Sequence, residues 1–161
     1  MNKNEKRKRK GKGKKESKKG KGKRSLICYY LCAVFLSNIL ISFYYNYYIY
    51  SGLFTLLIFT SLLHHSNPTL VTNIIDKIPI VSIITYGGNI FYNKLLIIES
   101  NDIKRIIFSI IIIMTFLVII FWYIYGYYKN KYCFYENQLG FLYHMLVHMI
   151  SSLGHILIVI L

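Results

Sequence analysis

Two histidines near the start of the last apolar run, in Tyr143-His144-Met145-Leu146-Val147-His148-Met149, stand four residues apart. On a helix this spacing sets side chains one above the other on one face, with Cβ atoms roughly 5–6 Å apart. Two imidazoles so placed can grip one metal ion. They lie in an apolar stretch of 24 residues, Gln138 to Leu161, where a polar side chain is costly to bury without partners. An isolated pair of this kind also serves for plain hydrogen bonding between helices. What else the chain brings to the same depth decides between the two uses.

Three further side chains qualify. Ser61 and His65 are four apart and share a helical face, and Asp76 follows eleven residues beyond His65, after a turn. At about 1.5 Å per residue, Ser61, Asp76, His144 and His148 lie about 6, 10, 9 and 15 Å from the nearest helix ends, so they are able to converge. Pro79 has no N–H to give the carbonyl of Ile75, which weakens the helix beside Asp76 where a water or substrate can insert. His64 points about 100° away from His65 and is an alternative donor, although the spacing to Ser61 and Asp76 favours His65. His155, seven residues beyond His148, lies about 10 Å deeper and cannot share the ion. It reads as a packing or substrate-contact histidine. Asp76 has a rival use in pairing with Lys77, which can snorkel to the interface. Tyr143, Met145 and Met149 read as core or lipid-facing.

The elements that must position these groups follow from composition. The chain has 161 residues, 55% hydrophobic and 17% aromatic, with a formal net charge of +14. Nearly all of that charge is in residues 1–24, which carry 14 Lys and Arg against Glu5 and Glu16, a net of +12, while residues 25–161 carry +2. The expected organisation is a disordered polybasic tail, 1–24, joined to a transmembrane helical domain, 25–161. The tail has no apolar residue between Asn2 and Arg24, so it cannot build a core. In a soluble protein such a run reads as an arm for nucleic-acid phosphates. Beside an apolar span, anionic lipid head groups are the expected partner instead, and the positive-inside rule puts the N-terminus in the cytoplasm. No cleavage site of small residues follows the first apolar run, as a signal peptide would require. Cys28, Cys32 and Cys133 form no disulfide framework.

The fold class predicted is all-α, a polytopic membrane bundle of about five transmembrane helices. The first span runs from about Leu26 to Tyr45, and five tyrosines between Tyr44 and Tyr50 mark an interfacial belt. The second returns from about Tyr47 to His65. Ser66-Asn67-Pro68-Thr69 is a turn in which Asn67 can cap and Pro68 can open the next helix. The third run, Leu70 to Ile98, is either one tilted helix or a span and a half-span broken at Gly87-Gly88. The fourth runs from Ile103 to Tyr128, and the fifth from Gln138 to Leu161. With a single crossing in the third run, His65, Asp76, His144 and His148 share one leaflet. A sixth span would separate them. Lys104 and Arg105 then fall on the outer side, against the positive-inside preference.

Ser61-x-x-x-His65, Asp76 and His144-x-x-x-His148, in that order, resemble the alkaline ceramidase family and the wider superfamily of membrane hydrolases that includes the adiponectin receptors and the proteins acting on GPI anchors. The resemblance covers two patches, Thr60 to Asp76 and His144 to His148. It implies a zinc ion held by His65, His144 and His148, Asp76 orienting or deprotonating the attacking water, Ser61 hydrogen-bonding beside the metal, and a lipid with an amide bond as substrate. Three protein ligands leave a fourth position open, the mark of a catalytic zinc. A fixed hydroxyl such as Ser61 suits an oxyanion. Those families have seven spans where this chain has room for about five, so the cavity walls would be thinner or completed by a second copy. The family's N-terminal acidic cluster for calcium has no counterpart here.

Three functions of different classes compete. The first is a zinc-dependent hydrolase of an amide or ester bond in a lipid. The second is a haem-binding electron carrier with axial histidines from two helices. The third is a multi-pass membrane protein with a basic cytoplasmic arm and no chemistry.

Overall fold

The computed structural model describes residues 30, 33–99, 101–131 and 138–161. The tail at 1–24, the start of the expected first span and Cys28, Cys32 and Cys133 lie outside them. The described residues form an all-helical fold. We number the helices α1 (Ala33–Tyr44), α2 (Tyr48–Ser66), α3 (Leu70–Leu96), α4 (Ile103–Lys129) and α5 (Gln138–Ile160). Helices α2 to α5 are long and apolar enough to cross a bilayer, as expected of an integral membrane protein.

Local chemistry sets the helix ends. Between α1 and α2 the chain turns at Asn46, whose φ of 63° is left-handed backbone that asparagine tolerates better than most residues. The α3 cap departs from the sequence expectation. Thr69, not Asn67, is the N-cap, and Pro68 lies outside the helix. Thr69 Oγ1 accepts from the Thr72 amide and Thr72 Oγ1 accepts from the Thr69 amide, a reciprocal box that satisfies two free donors at once. Asn67 instead closes α2, its amide donating to the Leu63 carbonyl. Asp102 caps α4 by accepting from the Arg105 amide at 3.2 Å, and Asn130 ends that helix in the left-handed region.

Helix α3 is continuous through Gly87-Gly88. Its buried positions, Thr72, Asp76, Pro79, Ile83, Gly87 and Ile90, recur at three- and four-residue steps and form one inward stripe. Gly87 belongs to that stripe, whereas Gly88 is exposed. An uninterrupted stripe of this length fits one crossing.

Helix α5 is the hub. It meets α1 where Phe35 stands edge-on to His148 with ring centroids 5.4 Å apart and where Asn38 donates to Ser152. It meets α2 at Tyr50 and Phe54, α3 at Lys94, and α4 at Phe116 and Trp122. These pairings make α1, α3 and α5 run one way and α2 and α4 the other. One end of the bundle thus gathers the C-terminus of α2 and the N-termini of α3 and α5, which carry His65, Asp76 and His144. The opposite end gathers Tyr44, Tyr45, Lys94 and the start of α4. In the tyrosine run, Tyr44 is 79% exposed as a belt residue should be, but Tyr50 is 0% exposed and belongs to the core. Helix α4 packs mainly on α5 and leaves most of its isoleucine-rich surface outward.

Candidate metal and carboxylate site

The four-residue spacing does what helix geometry requires. His144 and His148 face each other on α5, their Nε2 atoms 3.0 Å apart and their rings at 84°. One imidazole donates to the other, so at least one of the two nitrogens is a lone-pair acceptor directed at its neighbour. Phe35 covers His148 from α1, and the Trp122 ring of α4 meets Tyr143 at 5.9 Å. Phe35 is thus the ring packed directly on the pair, while Trp122 packs on the neighbouring Tyr143.

Helices α2 and α3 bring the second cluster to the same end. Asp76 is 7% exposed, a depth at which a carboxylate needs partners. Ser61 Oγ donates to its Oδ1 at 2.6 Å and Thr60 Oγ1 donates to the same oxygen at 3.4 Å. Lys77 Nζ stands 3.9 Å from Oδ2 with an exposed side chain, a loose ion pair at the bundle surface. The short contact to Ser61 is therefore the one that fixes the carboxylate. Ser61 has a single proton and spends it there, so in this arrangement it orients Asp76 instead of standing free for an oxyanion. Thr60 is a partner that the sequence did not single out, although its place beside Ser61, on the face towards α3, was open to that reading.

His65 and its neighbour His64 lie side by side, their ring centroids 5.7 Å apart. His64 Nδ1 is hydrogen-bonded to Thr72 Oγ1 at 3.2 Å, across the turn into α3. His65 lies close enough for its charge to act on both His144 and His148, as does that of Lys77, while the Asp76 carboxylate acts on His144. The two clusters thus form one electrostatic neighbourhood.

A zinc ion fits part of this arrangement. Two ligands of a tetrahedral zinc at about 2.0–2.1 Å stand roughly 3.3 Å apart, so the His144 and His148 nitrogens have nearly that separation already. The donor types suit zinc as well. The third ligand is not gathered with them: among the described residues, no group of three or more His, Cys, Asp or Glu side chains surrounds one point.

His155 has a different environment. It is 4% exposed, its Nδ1 shares a hydrogen bond with the Tyr50 hydroxyl, and the rings of Tyr50, Phe54 and Phe116 stand edge-on or tilted to it at 5.7, 5.5 and 5.1 Å. Gly87 makes room for this pair, since a Cβ at that position would collide with the Tyr50 hydroxyl and press on His155 Nδ1. Of the sequence alternatives for His155, packing is the one its contacts match. Met149 is outward-facing and Tyr143 and Met145 are half-buried.

Comparison with protein-family models, with characterised proteins and with solved structures returns no match.

Proposed function

We propose that the chain is a membrane-embedded, zinc-dependent hydrolase that cleaves an amide or ester bond in a lipid, with the ion held by His144, His148 and His65. The observation that carries this reading is the facing Nε2 pair of His144 and His148, set within electrostatic reach of a buried carboxylate that is oriented by a serine. Zinc, when bound, supplies a Lewis acid and lowers the pKa of water towards about 7. Asp76 accepts the proton of the attacking water and delivers it to the leaving amine or alcohol. Ser61 and Thr60 hold the carboxylate in one orientation, and Lys77 balances its charge. Phe35 covers His148 from α1, and a lipid reaches the site sideways from the bilayer. On the positive-inside argument the N-terminus is cytoplasmic, with the basic tail on anionic head groups.

Elemental analysis of detergent-purified protein, wild type beside His144→Ala, tests the reading. Near-stoichiometric zinc in the wild type and its loss in the variant is the expected result.

A second reading, a multi-pass protein without chemistry, is favoured by one observation: no third donor is gathered around the histidine pair among the described residues. It predicts background metal in both samples. An absorption spectrum of the same preparation separates both readings from a haem carrier, which alone would be coloured.

A further inference from the structure

The end of the bundle opposite the histidines holds an unexplained concentration of positive charge. A half-open recess of about 280 Å³ is lined by Asp102, Lys104, Arg105, Phe108, Ile160 and Leu161. Its wall is cationic on the α4 side and apolar towards Phe108 and the end of α5. Lys94 stands nearby and is already committed, donating from Nζ to the Val159 carbonyl at 2.7 Å, where it caps the last turn of α5. Arg105 is close enough for its charge to act on Lys94. Among the described residues, Asp102 is the carboxylate paired with this charge: its Oδ2 lies 3.3 Å from Arg105 Nε, which leaves the two terminal guanidinium nitrogens of Arg105 unengaged by that pair. Lys104 has no ion-pair partner among the described residues. Both cations also sit in the first turn of α4, where the helix dipole is itself positive and disfavours them.

Topology sharpens the problem. Lys77, Lys129 and Lys131 lie at the histidine end of the bundle, while Lys104 and Arg105 lie at the other end. Whichever way the bundle is inserted, one group of cations faces the side that the positive-inside rule disfavours. An anion bound at the α4 group removes the conflict.

We propose that this recess binds the phosphate head group of an anionic membrane lipid. Arg105 presents its free fork to the phosphate oxygens, Lys104 adds a second charge, and the acyl chains lie along Phe108 and Ile160. The site is independent of the proposed zinc site.

Native mass spectrometry of the full chain in detergent, titrated with phosphatidylglycerol or phosphatidylcholine, tests this. The wild type is expected to retain one phosphatidylglycerol at least tenfold more tightly than phosphatidylcholine. K104Q/R105Q, with the basic tail unchanged and still holding anionic head groups, retains one phosphatidylglycerol fewer than the wild type, and K104R retains as many as the wild type. Soluble glycerol phosphate at the same concentration does not displace the lipid. Equal retention of phosphatidylglycerol by K104Q/R105Q and wild type would overturn the proposal. Full displacement by glycerol phosphate would do so too, because the site would then recognise free phosphate and not a lipid.

Discussion

Helix α5 carries two kinds of histidine within one stripe, and their difference separates packing from chemistry. His155 is enclosed by rings from α2 and α4 and joined to the Tyr50 hydroxyl. Among the described residues, each of its contacts belongs to the fold and none is a carboxylate or cation. His144 and His148, about three and two turns earlier, are less enclosed, face each other, and share a neighbourhood with Asp76, Lys77 and His65. The same side chain on the same helix thus sits in opposite surroundings, set by what the neighbouring helices present, and on the proposed function these correspond to opposite uses. A histidine that fills space should be missed by the fold, and one that does chemistry should be missed by the reaction.

Substitutions that break this contrast can be ordered by expected size. Asp76→Asn keeps the shape and hydrogen bonds of the carboxylate but removes its proton affinity. Hydrolysis of a panel of N-acylated lipids should fall about 10²–10⁴-fold, with zinc content unchanged. His155→Ala should leave hydrolytic residues in place but empty a buried site and orphan the Tyr50 hydroxyl, lowering stability by about 3 kcal/mol in unfolding assays in detergent. A small stability change there would erase the distinction between the two histidine environments. The adjacent glycines give a finer test. Gly87→Ala drives a methyl group into the Tyr50–His155 pair and should cost about 1–3 kcal/mol, whereas Gly88→Ala meets open space and should be neutral or stabilising by up to about 1 kcal/mol. Thr69→Ala removes half of the capping box at the start of α3 and should cost about 1 kcal/mol, with little effect on metal content.

Much of the architecture was legible from the sequence because the bilayer leaves few options. Long apolar runs bounded by Ser66-Asn67-Pro68-Thr69, by Asp102 and by Lys129 gave α2 to α5 to within a few residues. Helical spacing and depth led to the expectation that Ser61, His65, Asp76, His144 and His148 converge; the pairs Ser61–Asp76 and His144–His148 do meet, while among the described residues no third donor is gathered with the histidine pair. Other features escaped because they depend on partners far away in the chain. Gly87-Gly88 was open to reading as a break, since glycine permits one, but Gly87 serves as a gap for Tyr50 on another helix. Tyr50 was read with its neighbours as part of an interfacial belt, and only the position of His155, 105 residues later, makes it a core residue. The Asn38–Ser152 contact between α1 and α5 is of the same kind. At the α3 cap, Asn67 and Pro68 carried strong individual preferences, yet the reciprocal bond between Thr69 and Thr72 satisfies two donors at once and wins.

The central claim is that the histidines of α2 and α5 hold one ion together. X-ray absorption at the zinc edge of the purified full-length protein tests it most directly. The account predicts a first shell containing three imidazole nitrogens at about 2.0–2.1 Å, reduced or lost in His65→Ala. A shell with only two imidazoles and no change in His65→Ala, or no zinc above background, would contradict it.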